Sequence, residues 1–288
     1  MHIILGGTGH VGSALAQGLL ERGEPVTIVS RDPRKAEGWR ARGAQIAIAD
    51  VHDVPALRGV LERGARLFLL NPPADPSTDT AAEETRSVRA ILSAIEGSGL
   101  AKVVAQSTYG ARRGTSLGDL GVLHEMEEAL ARSPIPATIL RGAYYMSNWD
   151  HALETARAEG KVYAFFPADF ALPMVAPSDI GRVATELMLE PVATTGLHHV
   201  EGPVRCSPAD VARAFGSALG KAVSPVEIPR SEWVSSMTSI GFSGAAARSF
   251  AAMTDATLHA RFPDVETVRR GSTTIEQYVE ALTRPASR

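Results

Sequence analysis

Short apolar segments alternate with longer amphipathic segments through the first half of the chain. The apolar segments lack polar alternation, which is typical of parallel strands buried on both faces of a sheet. They predict strands at residues 3–5, 26–30, 44–49, 65–70, 101–106 and 137–140. The segments between them predict helices that begin after residue 9 and at residues 33–42, 54–62, 78–97 and 119–131. Repeated strand–helix units of this kind predict an α/β fold with a doubly wound parallel sheet.

The pattern changes after Arg141, where shorter strands and capped helices are mixed. Further helices are predicted at 151–159, 179–190, 243–259 and 273–283, and further strands at 161–166, 196–201 and 223–228. We therefore predict one domain in residues 1–142 and a smaller α/β lobe in residues 143–288. Some of the later elements are expected to return to the main sheet.

A glycine-rich turn joins the first predicted strand to the helix that follows it. Gly6, Gly9 and Gly12 are spaced three residues apart. The first lets the chain turn sharply, the second leaves room for a pyrophosphate against bare backbone, and the third lets the helix pack closely. Because the helix N-terminus also offers unpaired N–H groups and a partial positive charge, this turn predicts a dinucleotide site. A structural turn without a ligand is the alternative.

The residues after the second strand bear on the choice of dinucleotide. An NAD site usually places an acidic residue there to bind the ribose 2′-hydroxyl. This chain has Ser30 followed by Arg31, with Arg34 and Lys35 close behind. Serine and basic side chains suit a 2′-phosphate, so we expect NADP(H) in preference to NAD(H). Asp32 is the counter-argument, since it could turn inward, and a solvated basic helix start is the alternative.

Polar residues also follow three further strands. Asp50, with Val51 after it, either accepts a hydrogen bond from the adenine amino group or caps the helix that begins near Val54. A loop stiffened by prolines, residues 71–73, lies where the cofactor should pass. The residues after the next strand carry hydroxyl groups and are expected beside the nicotinamide: Ser107, Thr108 and Tyr109.

Several of these segments together resemble a known family. The matching segments are residues 6–12, 30–33, 69–73, 103–110, 127–148 and 174–181. On these residues the chain resembles the NmrA-like group of atypical short-chain dehydrogenase/reductases. The resemblance covers most of residues 1–190, and beyond them only the spacing of elements is similar. It implies that residues 1–142 form a Rossmann domain and that residues 143–288 mainly form the substrate lobe.

The same resemblance implies where the cofactor lies. NADP(H) is expected over the glycine turn, with Arg31 at the 2′-phosphate and residues 71–73 along the ribose and nicotinamide. The residues expected to bind the cofactor are Gly6, Thr8, Gly9, His10, Val11, Gly12, Ser30, Arg31, Lys35, Asp50, Val51, Asn71, Pro72, Pro73, Ser107 and Thr108.

One departure from typical short-chain reductases concerns the proton donor. Those enzymes use a Tyr-x-x-x-Lys pair, in which the lysine lowers the pKa of the tyrosine. No tyrosine of this chain has a lysine four residues later, and the helix that should carry the pair has His124 near the active-site position. Quinone-reductase-like members of the family are similar in this respect. Quinone reduction tolerates the loss, because a hydroquinone anion is stable enough to take a proton from water.

Two residues are candidate catalytic groups. His124 could bind the nicotinamide ribose or donate a proton near neutral pH; the alternative is a surface histidine paired with Glu127 or Glu128. Tyr109 could donate a hydrogen bond to a substrate carbonyl; the alternative is packing at a strand end. The substrate cleft is expected to be lined by Tyr144, Tyr145 and Asn148. The alternative role of these residues is hydrophobic closure between the lobes.

Composition narrows the class of protein. The 288 residues carry a formal net charge of −3 at pH 7, which favours neither nucleic acid nor an anionic membrane as a partner. No apolar run approaches the ~18 residues of a membrane span, and the single cysteine, Cys206, excludes an internal disulfide. We expect a cytoplasmic protein that acts on a small molecule, with a homodimer allowed. His198 and His199 would point to opposite faces of one strand, so we expect no metal site.

These observations favour an NADPH-dependent reductase that transfers a hydride to a quinone or another conjugated carbonyl. His124 or water would then supply the proton. The absent tyrosine–lysine pair also allows a second class, a regulator that senses NADP(H) without turnover and changes its affinity for a protein partner. An isomerase or epimerase that keeps its cofactor bound is a third class, which the missing tyrosine base disfavours.

Overall fold

One parallel sheet with helices on both faces forms the centre of the protein. The computed structural model describes residues 1–114, 117–263 and 268–284. The strands in this part are β1 His2–Leu5, β2 Val26–Ser30, β3 Gln45–Ile48, β4 Arg66–Leu69, β5 Lys102–Thr108, β6 Ala137–Gly142, β7 Tyr144–Tyr145, β8 Lys161–Ala164, β9 Leu172–Val175, β10 Gly196–Glu201, β11 Arg205–Cys206, β12 Ser224–Glu227 and β13 Arg269–Arg270. The helices are α1 His10–Leu20, α2 Pro33–Arg40, α3 Val54–Leu61, α4 Thr80–Ile95, α5 Asp119–Arg132, α6 Ala152–Glu159, α7 Pro177–Leu189, α8 Pro208–Leu219, α9 Trp233–Ser239, α10 Gly244–Leu258 and α11 Ile275–Thr283.

The main sheet has the order β13-β10-β6-β5-β4-β1-β2-β3. Each neighbouring pair of these strands runs parallel. Chain order reverses at β1, which lies between β4 and β2, and doubly wound sheets bind ligands in the crevice at such a point. The predicted doubly wound α/β fold is confirmed. Two strands from beyond residue 142, β10 and β13, extend one edge of this sheet.

Apolar side chains of successive strand residues point to opposite faces of the sheet, where they pack against two separate layers of helices. One face of the sheet carries α1 and α7, packed over Ile4 and Phe68. The other face carries α3, α4 and α5, packed over Ile3 and Leu67. All four of these side chains are completely buried, which explains why the strand segments are apolar without alternation.

Helix α7 belongs to the second half of the sequence but packs tightly on α1. A Cβ atom on Gly181 would lie 2.5 Å from the Cβ of Ala14, and one on Gly18 would lie 2.7 Å from Oγ1 of Thr185. Glycine at these two positions therefore lets the helices approach closely. As a result, α7 completes the layer that covers the first half of the sheet.

The C-terminal end of α7 is held by two basic side chains from the sheet. Nζ of Lys102 donates to the carbonyls of Leu187 and Pro191, at 3.0 and 3.3 Å. Arg66 donates to the carbonyl of Glu190 at 2.7 Å. Lys102 is fully buried, and this burial lowers the pKa of its ammonium group. These contacts satisfy carbonyl groups that the end of a helix leaves without partners.

The rest of the chain forms a lobe at the carboxyl edge of the main sheet. Strands β7, β9 and β11 form a small sheet, and β8 pairs with β12. Its core includes Trp149 and Phe215, with α6, α8 and α11 around them. The lobe also contacts the loop after β4, since the amide of Ser243 donates to the carbonyl of Pro76 at 2.9 Å. Within the described ranges, no helix has both the length and the apolar character needed to cross a membrane.

Candidate functional site

The turn between β1 and α1 has the geometry of a phosphate cradle. Gly6 has a φ of +69°, and its carbonyl accepts from the amide of Gly9 at 2.9 Å. A Cβ atom on Gly12 would lie 2.2 Å from that same carbonyl oxygen, whereas one on Gly9 would meet only this oxygen, at 3.4 Å. Glycine at position 12 is therefore required for the close packing of α1 on the turn. The backbone of Gly9 has no other protein atom close to it on the side where a Cβ atom would lie.

Helix α1 begins immediately after this turn. Its N-cap residue, Gly9, supplies no side-chain cap. The first N–H groups of a helix have no intrahelical acceptor, and they carry the positive end of the helix dipole. Among the sequence candidates, the backbone of Gly9, His10, Val11 and Gly12 is thus open to an anion.

The carboxylate of Asp32 is used locally at the end of β2. It accepts from the amide of Arg34 at 2.9 Å and caps α2. This hydrogen bond, and the guanidinium of Arg34, hold the pKa of Asp32 below its usual value. The hydroxyl of Ser30 donates to the carbonyl of Asp32 at 2.9 Å. Asp32 does not turn inward, and Arg31 and Lys35 are exposed beside it.

The alternative role of Asp50 as a helix cap is wrong. The cap of α3 is Asp53, which accepts from the amide of Ala56 at 3.1 Å. Asp50 instead accepts from the amide of His52 at 2.9 Å and is half-buried. The next residue, Val51, packs against the apolar layer of α3, α4 and α5.

The loop after β4 contains a polar atom without a partner. Nδ2 of Asn71 donates to the carbonyl of Glu84 at 3.2 Å. Oδ1 of Asn71 is buried and has no hydrogen-bond partner among the described residues. Since such atoms are costly in a folded protein, a missing ligand is one physical explanation. Pro72 is half-buried in this loop and Pro73 is exposed.

The hydroxyl of Ser107 is bound to a buried carboxylate. Ser107 is 1% exposed and donates to Oε1 of Glu127 at 2.5 Å. Arg141 donates to both oxygens of the same carboxylate, at 2.8 and 2.6 Å. A buried ion pair thus takes the proton of this hydroxyl, and its expected place beside the nicotinamide stays a prediction. Thr108, the last residue of β5, is half-buried.

The hydroxyl of Tyr109 is engaged in a second buried network. It donates to Oε1 of Glu201 at 3.2 Å, and Arg205 and Arg270 donate to the same carboxylate. Burial, followed by the charge of Glu201, raises the pKa of Tyr109 well above its usual value. The ring also packs edge-on against His199, with centroids 5.1 Å apart. These contacts favour the packing alternative for Tyr109.

His124 lies in a groove between α4 and α5, with Arg89 and Arg113 also lining it. Nε2 of His124 is 3.6 Å from Oε1 of Glu128, one turn further along α5. This is the surface-pair alternative. Tyr109 packs in the α1–α7 layer on the other face of the sheet. The structure therefore does not bring the two candidate catalytic residues together.

Tyr144 and Tyr145 point into different surroundings. Tyr144 packs edge-on against Phe166 in the lobe core, with centroids 5.7 Å apart. Burial raises the pKa of Tyr144 to about 12, and a hydrogen bond with Asn148 opposes this rise. Burial and the nearby charge of Asp119 raise the pKa of Tyr145. Asn148 is exposed, and the expected place of these three residues at a substrate cleft stays a prediction.

A pair of carboxyl groups, Glu84 and Asp119, was not among the sequence candidates. Glu84 is 7% exposed, and its carboxyl group lies near the negative charge of Asp119. Burial and the charge of Asp119 raise the pKa of Glu84 to about 8. In the sequence, both look like ordinary acidic residues near helix N-termini. No local signal distinguishes them, because 35 positions separate the two.

The two adjacent histidines of β10 face opposite sides of the sheet, as expected. His199 lies near Arg141 and Glu127, beside α5, whereas His198 lies near Lys102, whose ammonium group reaches the end of α7. No group of three or more histidine, cysteine or acidic residues that could hold a metal occurs in residues 1–114, 117–263 and 268–284. The thiol of Cys206 is buried, and burial raises its pKa to about 11.

The parallel sheet, the glycine turn after β1 and the open N-terminus of α1 define the Rossmann class of α/β folds. Within this class, the chain belongs to the NmrA-like family, whose sequence model matches residues 2–283. The resemblance noted in the sequence is therefore confirmed across the chain.

Similar proteins include several reductases. An NAD(P)H azoreductase from Xenophilus azovorans is 25% identical over 241 residues, covering 84% of this chain and 82% of the relative. The structure of the Escherichia coli NADPH-dependent quinone oxidoreductase QOR2 complexed with NADPH has a TM-score of 0.82 at 22% identity, covering 99% of this chain and all of that one. Citrobacter sp. triphenylmethane reductase complexed with NADP(H) has a TM-score of 0.81 at 17% identity, covering 98% of this chain and all of that one.

Proposed function

We propose that this protein is a cytoplasmic NADPH-dependent oxidoreductase that transfers a hydride to a quinone or another conjugated carbonyl compound. The observation that carries the proposal is the bare glycine turn before the uncapped N-terminus of α1. The buried, unpartnered Oδ1 of Asn71, in the loop after the neighbouring strand β4, adds a second polar group that awaits a ligand. Relatives named as azo and quinone reductases supply the reaction class.

The cofactor would be held along the carboxyl edge of the sheet. The amides at the start of α1 would bind the pyrophosphate, and Arg31 and Lys35 would bind the 2′-phosphate. Asp50 and Val51 would meet the adenine, and Asn71 to Pro73 would follow the ribose and nicotinamide. When bound, NADPH supplies the hydride; the protein supplies position and excludes water.

The substrate would enter between this edge and the lobe. Tyr145 lies on the strand that follows β6, close to Asp119, and Tyr144 and Asn148 flank it. Helix α10 covers the same region, since a Cβ atom on Gly118 would lie 3.0 Å from the sulfur of Met253. A cleft between aromatic and apolar side chains suits a flat conjugated molecule.

The proposal is tested by NADPH oxidation with the purified protein against a panel of quinones, enones, azo compounds and simple ketones. Turnover of at least one conjugated member is expected, with slower turnover of simple ketones. Binding of NADPH is followed in the same samples by fluorescence titration. Tight binding without turnover of any compound would contradict the reductase function.

The cofactor preference is tested with Arg31→Ala. Loss of a charge-assisted contact to the 2′-phosphate should weaken NADPH at least tenfold, a typical value for such contacts. NADH, which lacks this phosphate, should be nearly unaffected. Arg40→Ala, an exposed arginine at the other end of α2, is the matched control. Equal weakening of both nucleotides by Arg31→Ala would mean that Arg31 does not bind the 2′-phosphate.

A regulator that binds NADP(H) without turnover is the second candidate. Two observations favour this function. The hydroxyl of Tyr109 is already hydrogen-bonded to Glu201, and no tyrosine of the chain has a lysine four residues later that would make it a proton donor. In that case NADPH and NADP+ should bind with different affinities and change the protein's association with a partner. The same titration, repeated with both redox forms, separates this function from catalysis.

A further inference from the structure

The loop after β4, residues 71–74, begins beside the glycine turn. Strands β1 and β4 are parallel neighbours in the main sheet, so the residues that follow them lie side by side at the carboxyl edge. A Cβ atom on Gly6 would lie 3.0 Å from the side chain of Leu70. Asn71, the next residue, therefore lies close to the turn that is proposed to bind the pyrophosphate.

One residue of α4 binds this loop at both of its ends. The carbonyl of Glu84 accepts from Nδ2 of Asn71 at 3.2 Å, and Oε1 of Glu84 accepts from the amide of Ala74 at 3.1 Å. Glu84 is itself 7% exposed. The two residues between Asn71 and Ala74 are prolines, which have a fixed φ and no N–H to donate. Together these features restrict the loop before any ligand binds.

The contact with the Glu84 carbonyl also fixes the orientation of the Asn71 amide. A carbonyl oxygen only accepts hydrogen bonds, so the amide nitrogen must face it and the amide oxygen must point away from it. That oxygen, Oδ1, is buried and has no hydrogen-bond partner within the described part of the chain. A ligand that meets Oδ1 must therefore bring an N–H or O–H group.

The order of the strands indicates which part of a dinucleotide would meet this oxygen. Strand β4 lies on one side of β1, and β2 and β3 lie on the other. The groups proposed to bind the 2′-phosphate and the adenine follow β2 and β3. A dinucleotide whose pyrophosphate lies at the turn after β1 therefore extends its nicotinamide half towards β4. The donors in this half are the ribose hydroxyls and the N–H groups of the carboxamide.

We propose that Glu84 is a positioning residue of the cofactor site, which holds Oδ1 of Asn71 ready to accept from an N–H or O–H group of the nicotinamide nucleoside. This inference rests on the proposed function, since it requires NADPH to bind at the glycine turn. Asn71 meets the cofactor, whereas Glu84 acts through Asn71 and Ala74. Binding then gives a partner to a buried acceptor, which favours the bound state.

The first test measures, without any substrate, the Kd of NADPH and that of adenosine 2′,5′-bisphosphate, which lacks the nicotinamide nucleoside. Asn71→Ala should weaken NADPH at least about threefold, as expected for the loss of one hydrogen bond, and should leave the bisphosphate unchanged. Glu84→Ala should have the same two effects. Glu84→Gln keeps an oxygen that can accept from Ala74, so its Kd for NADPH should stay within about twofold of the wild type.

Glu83→Ala is the matched control, because the carboxylate of Glu83 pairs with Arg86 at the surface of the same helix. It should change neither Kd. Unchanged NADPH binding in Asn71→Ala would overturn the role of Oδ1, and unchanged NADPH binding in Glu84→Ala would overturn the positioning role. Equal weakening of NADPH and the bisphosphate would also overturn the proposal, since the nicotinamide half would then not be the part that is recognised.

Amide hydrogen exchange, followed by NMR, tests the positioning role without any cofactor. The amide of Ala74 should be protected in the wild type and in Glu84→Gln. It should exchange at least about tenfold faster in Glu84→Ala, because it loses its acceptor. An equal rate in all three proteins would overturn the attachment of the loop by the Glu84 side chain.

The acetylpyridine analogue of NADPH identifies the donor group, because it has a methyl ketone in place of the carboxamide. If the carboxamide donates to Asn71, Asn71→Ala should weaken NADPH but not the analogue. If a ribose hydroxyl donates, the variant should weaken both, and either result supports the proposal. A wild type that binds NADPH but reduces no compound would overturn the reductase function and leave this inference standing. A wild type that does not bind NADPH would overturn both.

Discussion

Three carboxyl groups with little exposure to solvent, those of Glu127, Glu201 and Glu84, have opposite electrostatic surroundings. Glu127 and Glu201 are each bound by arginine: Arg141 holds the first, and Arg205 and Arg270 hold the second. Glu84 instead faces another acid, Asp119. The first two connect strands and helices through their arginine partners. Burial, together with the nearby charge of Asp119, raises the pKa of Glu84 to about 8, so this carboxyl group keeps its proton at pH 7.

The two carboxylates that are bound by arginine each connect several elements of the fold. Glu127 links β5, α5 and β6 through Ser107 and Arg141. Glu201 links β10 to β11 and β13. Both networks use residues that the sequence placed at the active site, Ser107 and Tyr109. A polar residue at a strand end is therefore not sufficient to predict a catalytic group, since buried ion pairs use the same positions.

The largest expected effect is loss of an arginine from the first group. Arg141→Met should leave Glu127 buried without its cation, which typically costs about 3–5 kcal/mol of stability. Arg113→Met removes a surface partner of Glu128 on the same helix and should cost less than about 1 kcal/mol. Urea unfolding at pH 7 measures both. Equal costs would mean that burial does not distinguish the two pairs.

The next effect concerns the pH dependence of stability at Glu84. Its pKa is raised from 4.5 to about 8 in the folded protein, so the folded state binds more protons than the unfolded state between these values. Stability must then decrease as pH rises through this window. Glu84→Gln should remove this decrease and gain stability relative to the wild type at the upper end. Urea unfolding at several pH values measures the slope, and identical slopes would contradict a like-charge pair.

The smallest effects are expected at the two residues first considered as catalytic. Tyr109→Phe removes one hydrogen bond to Glu201 and should cost about 1 kcal/mol of stability. His124→Phe removes an interaction across 3.6 Å between two half-buried side chains and should cost less than about 1 kcal/mol. Turnover should stay within about threefold in both, below the usual contribution of a general acid. A tenfold loss in either variant would restore its catalytic role.

Features made by neighbouring residues could be predicted from the sequence. The glycine turn, α1 and the strand pattern depend on contacts within a few positions, so periodicity and glycine spacing were informative. The two possible roles of Asp50 could not be separated in this way. Asp50 and Asp53 are both near the start of α3, and only the backbone path shows that Asp53 is its cap.

The roles of Ser107, Tyr109 and Glu84 depended on partners distant in sequence. Tyr109 and Glu201 are 92 positions apart, and Ser107 and Glu127 are 20 apart. Whether a side chain at a strand end is free or bound is set by which other charges the fold buries beside it. Hydrophobic periodicity carries no information about such pairs, because it records which face is buried and not which polar groups meet there. The alternation of short apolar segments with amphipathic segments thus determined the sheet, and the glycine turn determined its open edge. The tertiary packing alone decided which acids at that edge are bound by arginine and which one is buried beside another acid.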